Sequence, residues 1–303
     1  MMKKKTVIIV GGPTAAGKTA AAIRIARQFG TEIISADSRQ CYREISIGTA
    51  KPNAAELAAI HHYFINSHSI QELVNAGTYE KLALGYAANI FEHHDIAVMC
   101  GGTGLYIKAF CEGMDDMPNI PADIREKVRA EYEANGLLWL QQTLAERDPV
   151  FYASAETQNP QRLMRALEML EATGQSITTY RKGNTAERDF NIIKLGVTLP
   201  KEQLHANIHK RVDIMMEQGL VEEVKAVLPY RHHNALQTVG YTEIFDYLDG
   251  KIDLPKAVEE IKTHTRQYAK RQLTWFRRDP LMQWFDATDI DGMMSHIQST
   301  VQA

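Results

Sequence analysis

The segment Gly12-Pro13-Thr14-Ala15-Ala16-Gly17-Lys18-Thr19 constrains this chain more than any other. It follows the apolar run Val7-Ile8-Ile9-Val10 and precedes Ala20–Ala26, a stretch of strong helix formers. Strand, glycine-rich turn, Lys-Thr and helix, in that order, are the context that makes a G-x-x-x-x-G-K-[ST] match a P-loop. Such a turn curls backbone N–H groups around phosphate oxygens, and the positive end of the following helix faces the same anion. Lys18 supplies a point charge to the terminal phosphate and Thr19 a hydroxyl ligand for magnesium. A di- or triphosphate is therefore expected, with ATP the reading by motif alone. The competing reading is a turn that only packs a helix onto a sheet.

A chain of 303 residues has room for one large domain or two ordinary ones. Its 45% hydrophobic and 23% charged content is that of a soluble globular protein, and no apolar run approaches a membrane span. The opening Met1-Met2-Lys3-Lys4-Lys5 and the apolar run after it superficially resemble a secretory leader, but the run is too short and Gly11-Gly12 ends it. A cytoplasmic location is expected, with no membrane partner. Cys41, Cys100 and Cys111 include no C-x-x-C pair, which argues against structural zinc and a disulfide framework. The net charge of −3 does not announce nucleic acid, so any RNA site must be locally basic.

Through residue 112 the chain alternates buried-strand patterns (Val7–Val10, Glu32–Ser35, Ile96–Cys100) with helical ones (Ala20–Phe29, Thr78–His93). That alternation predicts an α/β fold whose parallel sheet carries helices on both faces. From about Asp115 the texture changes. Pro118 and Pro121 break the chain, and long charged helical patterns follow at Ala122–Asn135, Leu137–Arg147 and Asn159–Thr173. An all-helical insertion over residues 115–190 is expected, dividing a core formed by 1–114 and 191–303. The core resumes with a strand at Ile192–Leu199, then helices at Lys201–Gln218, Leu220–Leu228, Thr242–Asp249 and Leu254–Arg277.

Three constellations accompany the loop. In an open α/β sheet, ligands gather outside the carboxyl ends of strands, so Asp37, just after the second strand, should face the cleft that the loop borders. Its carboxylate suits magnesium coordination through water, general-base work or a helix N-cap. After the third strand, Cys100-Gly101-Gly102-Thr103-Gly104 stands where a typical NTPase has a magnesium-holding carboxylate. Between Lys262 and Arg278 lie six basic residues and no acid, with Tyr268, Trp275 and Phe276 interleaved. Phosphate contacts plus stacking surfaces suit RNA, and a solvated basic face with inward aromatics is the alternative.

Taken together, Gly-Pro-Thr-Ala-Ala-Gly-Lys-Thr (12–19), Asp-Ser-Arg-Gln-Cys-Tyr (37–42), Gly-Thr-Ala-Lys-Pro (48–52) and Gly-Gly-Thr-Gly-Leu-Tyr (101–106) resemble the tRNA dimethylallyltransferases, also called tRNA isopentenyltransferases, of bacterial type. Asn-Pro-Gln-Arg-Leu-Met-Arg-Ala-Leu-Glu (159–168), Gln-Thr-Val-Gly-Tyr-Thr-Glu (237–243) and Ala-Lys-Arg-Gln-Leu-Thr-Trp-Phe-Arg (269–277) continue the match in order. The resemblance implies a Mg²⁺-dependent transferase that moves a dimethylallyl group from dimethylallyl diphosphate to N6 of the adenosine 3′ of the anticodon, in tRNAs reading codons that begin with U. It implies Asp37 and Thr103 at the reacting centre, and Gly12, Thr14, Ala15, Ala16, Gly17, Lys18, Thr19 and Arg211 around the diphosphate, with Thr19 on the metal. It assigns the anticodon stem-loop to Asp37, Ser38, Arg39, Gln40, Thr103, Arg125, Gln161, Arg162, Leu163, Met164, Arg165, Gly240, Tyr241, Lys270, Arg271 and Arg277. A monomer is expected. Read without the resemblance, the same residues also suit a small-molecule or nucleoside kinase with a helical lid, or a nucleotide-gated RNA-binding module.

Overall fold

A computed structural model describes residues 4–183 and 185–302; Met1 to Lys3, weighed above for a leader, lie outside the described residues. Six strands, β1 (Thr6–Gly11), β2 (Ile33–Ser35), β3 (His62–Tyr63), β4 (Ile96–Gly101), β5 (Asn191–Thr198) and β6 (Gln283–Asp286), form one sheet in the order β3-β2-β4-β1-β5-β6. Every pairing is parallel. The expected parallel sheet flanked by helices is thus realised. Two of its strands escape a pattern reading, because β3 has only two residues and β6 (Gln-Trp-Phe-Asp) is a partly exposed edge without a buried run.

Burial on both faces follows from the period of two. Val7 and Ile9 of β1 enter one core cluster with Ala97 and Met99 of β4, while Ile8 and Val10 enter the other with Val98. Each such fully buried valine or isoleucine contributes about 1.5–3 kcal/mol of apolar burial. Helices α1 (Lys18–Phe29), α2 (Ala54–Ala59), α3 (Ala76–His93) and α4 (Gly104–Glu112) come from the first part of the chain. Among them, α1 places Ala21, Ala22, Ile25 and Ala26 against the Ile8 face, and α3 places Tyr79, Ala83, Ala87 and Ile90 in the Val7 cluster.

The chain divides into two compact units, Met1–Glu112 with Ala186–Ala303, and Gly113–Thr185. The second unit is helical: α5 (Ala122–Arg147), α6 (Pro149–Ser154), α7 (Pro160–Thr173) and α8 (Ile177–Tyr180). Gly136, at φ 76° and ψ −172°, breaks α5 into the two helical runs that the sequence pattern separates at that residue. Asn159 caps α7 by accepting from the Arg162 N–H, Pro160 occupies its first turn, and Gly174 ends it in the left-handed region at φ 70°. Val128, Leu140, Leu144, Leu163, Leu167 and Met169 form the core of this unit.

The first unit resumes after β5 with α9 (Lys201–Glu217), α10 (Leu220–Ala226), α11 (Tyr241–Leu248), α12 (Leu254–Phe276) and α13 (Ile290–Gln302). Asp253 caps α12 by accepting from the Lys256 N–H at 2.8 Å. No helix among the described residues is long and apolar enough to cross a membrane.

Candidate active site

Parallel pairing sends the carboxyl ends of β2, β4 and β1 to one edge, side by side. The register pairs Gly11 with Gly101 and Ser35 with Cys100, so the loops after these strands leave the sheet together. At Gly12 the backbone has φ 144°, and a Cβ there would lie 2.3 Å from the Val197 carbonyl oxygen, so only glycine fits. Gly17, at φ 89°, precedes the first turn of α1. Two residues of α9, four apart on one helical face, brace the loop. Arg211 Nη1 donates to Thr14 Oγ1 at 3.0 Å, and Asn207 Nδ2 donates to the Ala15 carbonyl at 3.2 Å. Lys18 Nζ donates to the Pro13 carbonyl at 2.6 Å.

Asp37 follows β2 in a turn that its own carboxylate closes. Oδ1 accepts from the backbone N–H of Arg39 at 2.9 Å and of Gln40 at 3.3 Å. Asp37 borders both cavities described below. Thr103 sits behind this turn. Its hydroxyl accepts from the Ser38 N–H at 3.0 Å, and its own N–H donates to the Ala36 carbonyl at 3.1 Å. Thr103 lines neither cavity, so in this structure its hydroxyl orients the Asp37 turn.

Two cavities meet at Asp37. One, of about 400 Å³, is bordered by the 12–19 loop through Thr14, Ala15, Gly17, Lys18 and Thr19, and by Gln40, Lys51, Gly101 and Gly102. The other, of about 540 Å³, is bordered by Ser38, Arg39, Gly240, Thr242, His264 and Arg271. Thr14, Asp37 and Arg211 line both, with Thr49, Ala50, Met215 and Tyr268 beside them. The segment leading into the shared Thr49–Ala50 wall is held by one carboxylate. Glu223 of α10 accepts from the N–H groups of Ser46 (2.7 Å), Ile47 (2.8 Å) and Gly48 (3.0 Å) and from the Tyr241 hydroxyl (2.6 Å).

The electrostatics favour an anion beside the loop. Burial lowers the Lys18 ammonium to about 8; Arg211 presses in the same direction, while Asp37 opposes it. Burial also lowers Arg211, with Asp37 again opposing. A second cation on the cavity wall, Lys51, is brought to about 8 by burial and donates to the Tyr42 carbonyl and to Asn66 Oδ1. Burial raises the Tyr268 phenol to about 12. For a cation, the Thr19 hydroxyl and the Asp37 carboxylate are hard oxygen donors on the smaller cavity, a chemistry that suits magnesium. No group of three or more His, Cys, Asp or Glu poised for a metal occurs among the described residues, so ligand oxygens and water would have to complete such a sphere.

The structure brings Gly12 to Thr19, Asp37 to Gln40, Thr103, Arg211, Gly240 and Arg271 to this edge of the first unit. Lys270 and Arg277 lie on and just after α12, both exposed. Arg125, Gln161, Arg162 and Arg165 belong to the helical unit, where Arg162 pairs with Glu156 at 2.9 Å. Three residues expected at the RNA have buried side chains. Leu163 and Met164 are core residues of the helical unit, at 0% and 9% exposure, and Tyr241 is fully buried with its hydroxyl on Glu223. These side chains pack inside the protein.

Two of the six basic residues between Lys262 and Arg278 are engaged within the protein. Lys262 pairs with Asp213 at 2.9 Å, and Arg266 faces His209 at 3.0 Å, so α12 is tied to α9 there. Phe276 is buried, whereas Trp275 is partly exposed over Gly104, where a Cβ would lie 2.1 Å from its ring. Gln272, Asn207 and Glu223 are site residues that the motif reading does not single out. Helical spacing was the available signal for two of them, since Gln272 follows Tyr268 by four and Asn207 precedes Arg211 by four.

A family model described as IPP transferase matches residues 40–279. The tRNA dimethylallyltransferase of Christiangramia forsetii is 47% identical over 280 residues, covering 92% of this chain and 93% of that protein. That of Cytophaga hutchinsonii is 44% identical over 298 residues, covering 98% of each. Among solved structures, the full-length tRNA isopentenylpyrophosphate transferase of Bacillus halodurans superposes with a TM-score of 0.72 at 34% identity, covering 99% of this chain and 97% of that one. A eukaryotic dimethylallyltransferase acting on tRNA gives a TM-score of 0.76 at 28% identity, covering 95% of this chain and 75% of that one.

Proposed function

The chain belongs to the IPP transferase family, and on that premise we propose that it transfers a dimethylallyl group from dimethylallyl diphosphate to N6 of the adenosine 3′ of the anticodon, in tRNAs reading codons that begin with U. The observation that carries this reading is the meeting of two cavities at Asp37, one bordered by the 12–19 loop and the other by α11 and α12. The first suits a diphosphate, and its apolar Ile47, Ile214 and Met215 suit a short hydrocarbon. The second suits a base splayed from its stack.

The exocyclic amine of adenine is a weak nucleophile because its lone pair is delocalised into the ring. Asp37 would accept a hydrogen bond from N6–H, concentrate density on nitrogen and take the proton as the new C–N bond forms. The allylic C–O bond breaks in the same step, and its electron pair leaves with the diphosphate. Lys18, Arg211 and the loop amides would meet the charge that builds there. Magnesium, held by Thr19 and the diphosphate oxygens, would add further neutralisation of that charge. No phosphoryl group is transferred and no ATP is needed. A tRNA substrate implies a cytoplasmic enzyme, and one chain supplies both cavities, so a monomer suffices.

The test is mass spectrometry of unmodified tRNA after incubation with the protein, Mg²⁺ and dimethylallyl diphosphate. The adenosine next to the anticodon should gain the mass of one dimethylallyl group less a hydrogen; an unchanged mass contradicts the reading. A kinase would instead transfer phosphate from ATP.

Two further outcomes follow from the charges. Lys18 titrates near 8 in the free protein, and a bound anion favours its charged form. Dimethylallyl diphosphate gains little further charge above about pH 7.5, so it should bind more weakly as the pH rises from there to about 9, with proton uptake at the upper end. Calorimetry in buffers of different ionisation enthalpy measures this, and Lys18→Arg should remove the dependence. Lys270 and Arg271 are exposed cations without an acidic partner among the described residues, and Arg271 lies 5.8 Å over the Tyr268 ring. Changing both to alanine should weaken tRNA binding and flatten the slope of log K against log salt by about 0.7–0.9 per lost phosphate contact. An unchanged slope would make this part of α12 a solvated surface.

A further inference from the structure

The backbone ladder between β1 and β4 ends at the pair Gly11–Gly101. One residue further on, the two chains begin the loops that carry the proposed diphosphate site and the turn behind Asp37. A side chain fills the gap between them. Gln272 of α12, only 5% exposed, accepts from the Thr14 N–H through Oε1 at 2.8 Å and donates from Nε2 to the Gly102 carbonyl at 2.9 Å. Its primary amide has the donor and acceptor of a peptide group, so it continues the ladder where the backbone stops. The fit is close. A Cβ on Gly102 would lie 2.2 Å from Gln272 Nε2, so glycine at 102 is what admits the amide.

Both ends of this bridge lead to reacting groups. On one side, Thr14 also accepts from Arg211, so the same residue is gripped through its N–H and its hydroxyl. On the other, Gly102 precedes Thr103, whose hydroxyl and N–H hold Ser38 and Ala36 on either side of Asp37. The connected path runs Thr14, Gln272, Gly102, Thr103, Ser38, Asp37. Gln272 also leaves α12 on the face that carries Tyr268, which lines both cavities.

We propose that Gln272 is a positioning residue that sets the separation between the diphosphate loop and the Asp37 turn by bridging Thr14 and Gly102. This rests on the transferase reading and extends it to a group to which the proposed chemistry gives no part, on the wall of the smaller cavity. Glutamine is required because the bridge needs a donor and an acceptor at one reach. Methionine has a similar length and offers neither, leaving a part-buried N–H and a buried carbonyl without this partner. Ionised glutamate offers acceptors only, and protonated glutamate restores both.

The experiment compares wild type with Gln272→Met and Gln272→Glu in steady-state prenylation, in calorimetry with inorganic pyrophosphate in the absence of tRNA, in tRNA binding and in thermal melting. The methionine variant should melt cooperatively and keep its tRNA affinity, bind pyrophosphate more weakly, and lose about 10²-fold in kcat, the scale expected for a misplacement near 1 Å. The glutamate variant adds a signature that packing alone does not produce: its kcat relative to wild type should recover as the pH falls and the carboxyl regains its proton. Methionine should show no such recovery. A methionine variant within about threefold of wild type in kcat and pyrophosphate affinity overturns the proposal. So does a glutamate variant whose relative kcat is flat with pH. If the methionine variant does not fold, the glutamate profile decides. A wild-type protein that leaves tRNA unmodified would refute the transferase reading alone, because the pyrophosphate titration still reads the bridge.

Discussion

Asp37→Asn is expected to lower the single-turnover rate of prenyl transfer by about 10²–10⁴-fold, the range for loss of a general base. The substitution isolates the chemistry. A carboxamide oxygen still accepts from the Arg39 and Gln40 N–H groups that close the turn, so the local fold survives. What is lost is the basic carboxylate of Asp37, which borders both cavities and would receive the N6 proton. Binding of tRNA should change little, because on the proposed reading exposed cations on other segments would supply the phosphate contacts. A variant with near-wild-type turnover would reduce Asp37 to a residue that shapes its turn.

Lys18→Met is expected to cost about 10²–10³-fold in kcat/KM for dimethylallyl diphosphate, comparable to removing one preorganised donor from a developing anion. Unlike a surface lysine, Lys18 is enclosed enough for burial to bring its ammonium to about 8, so little solvent stands in for it when it is removed. Arg211, four residues after Asn207 on α9, remains and preserves part of the binding. The loss should therefore exceed that of any single exposed cation on α12. Pyrophosphate affinity, measured separately, should fall in parallel. Unchanged affinity for pyrophosphate and unchanged kcat/KM would remove Lys18 from the anion site.

The fold was legible wherever burial imposed a period. Val7–Val10 and Ile96–Cys100 read as strands because both faces of the sheet are covered, and Gly136 announced the break in α5. The two-residue β3 and the edge strand β6 carry too little burial to leave a pattern.

At the site, the sequence revealed groups whose chemistry is local, namely the 12–19 loop and Asp37 at a strand end. It hid those whose role depends on distant pairing. Glu223 is held by three N–H groups of a loop some 175 residues earlier, and nothing near it in sequence hints at that. Gln272 was masked by the basic residues around it, although its place four after Tyr268 put it on the inward face. Charge alone misled in the other direction. Lys262 and Arg266, two of the six basic residues between 262 and 278, are tied to α9, and the side chains of Leu163, Met164 and Tyr241 are buried.

The central claim is that the 12–19 loop holds a leaving group and that the bond broken is carbon–oxygen. The most direct measurement uses dimethylallyl diphosphate labelled with ¹⁸O at the bridging position, incubated with tRNA, Mg²⁺ and the protein. Both products are then weighed. The account predicts that all the label departs in the released diphosphate while the modified adenosine gains the five-carbon group and no label. Label retained with the prenyl fragment, or phosphorus transferred to the RNA, would contradict it.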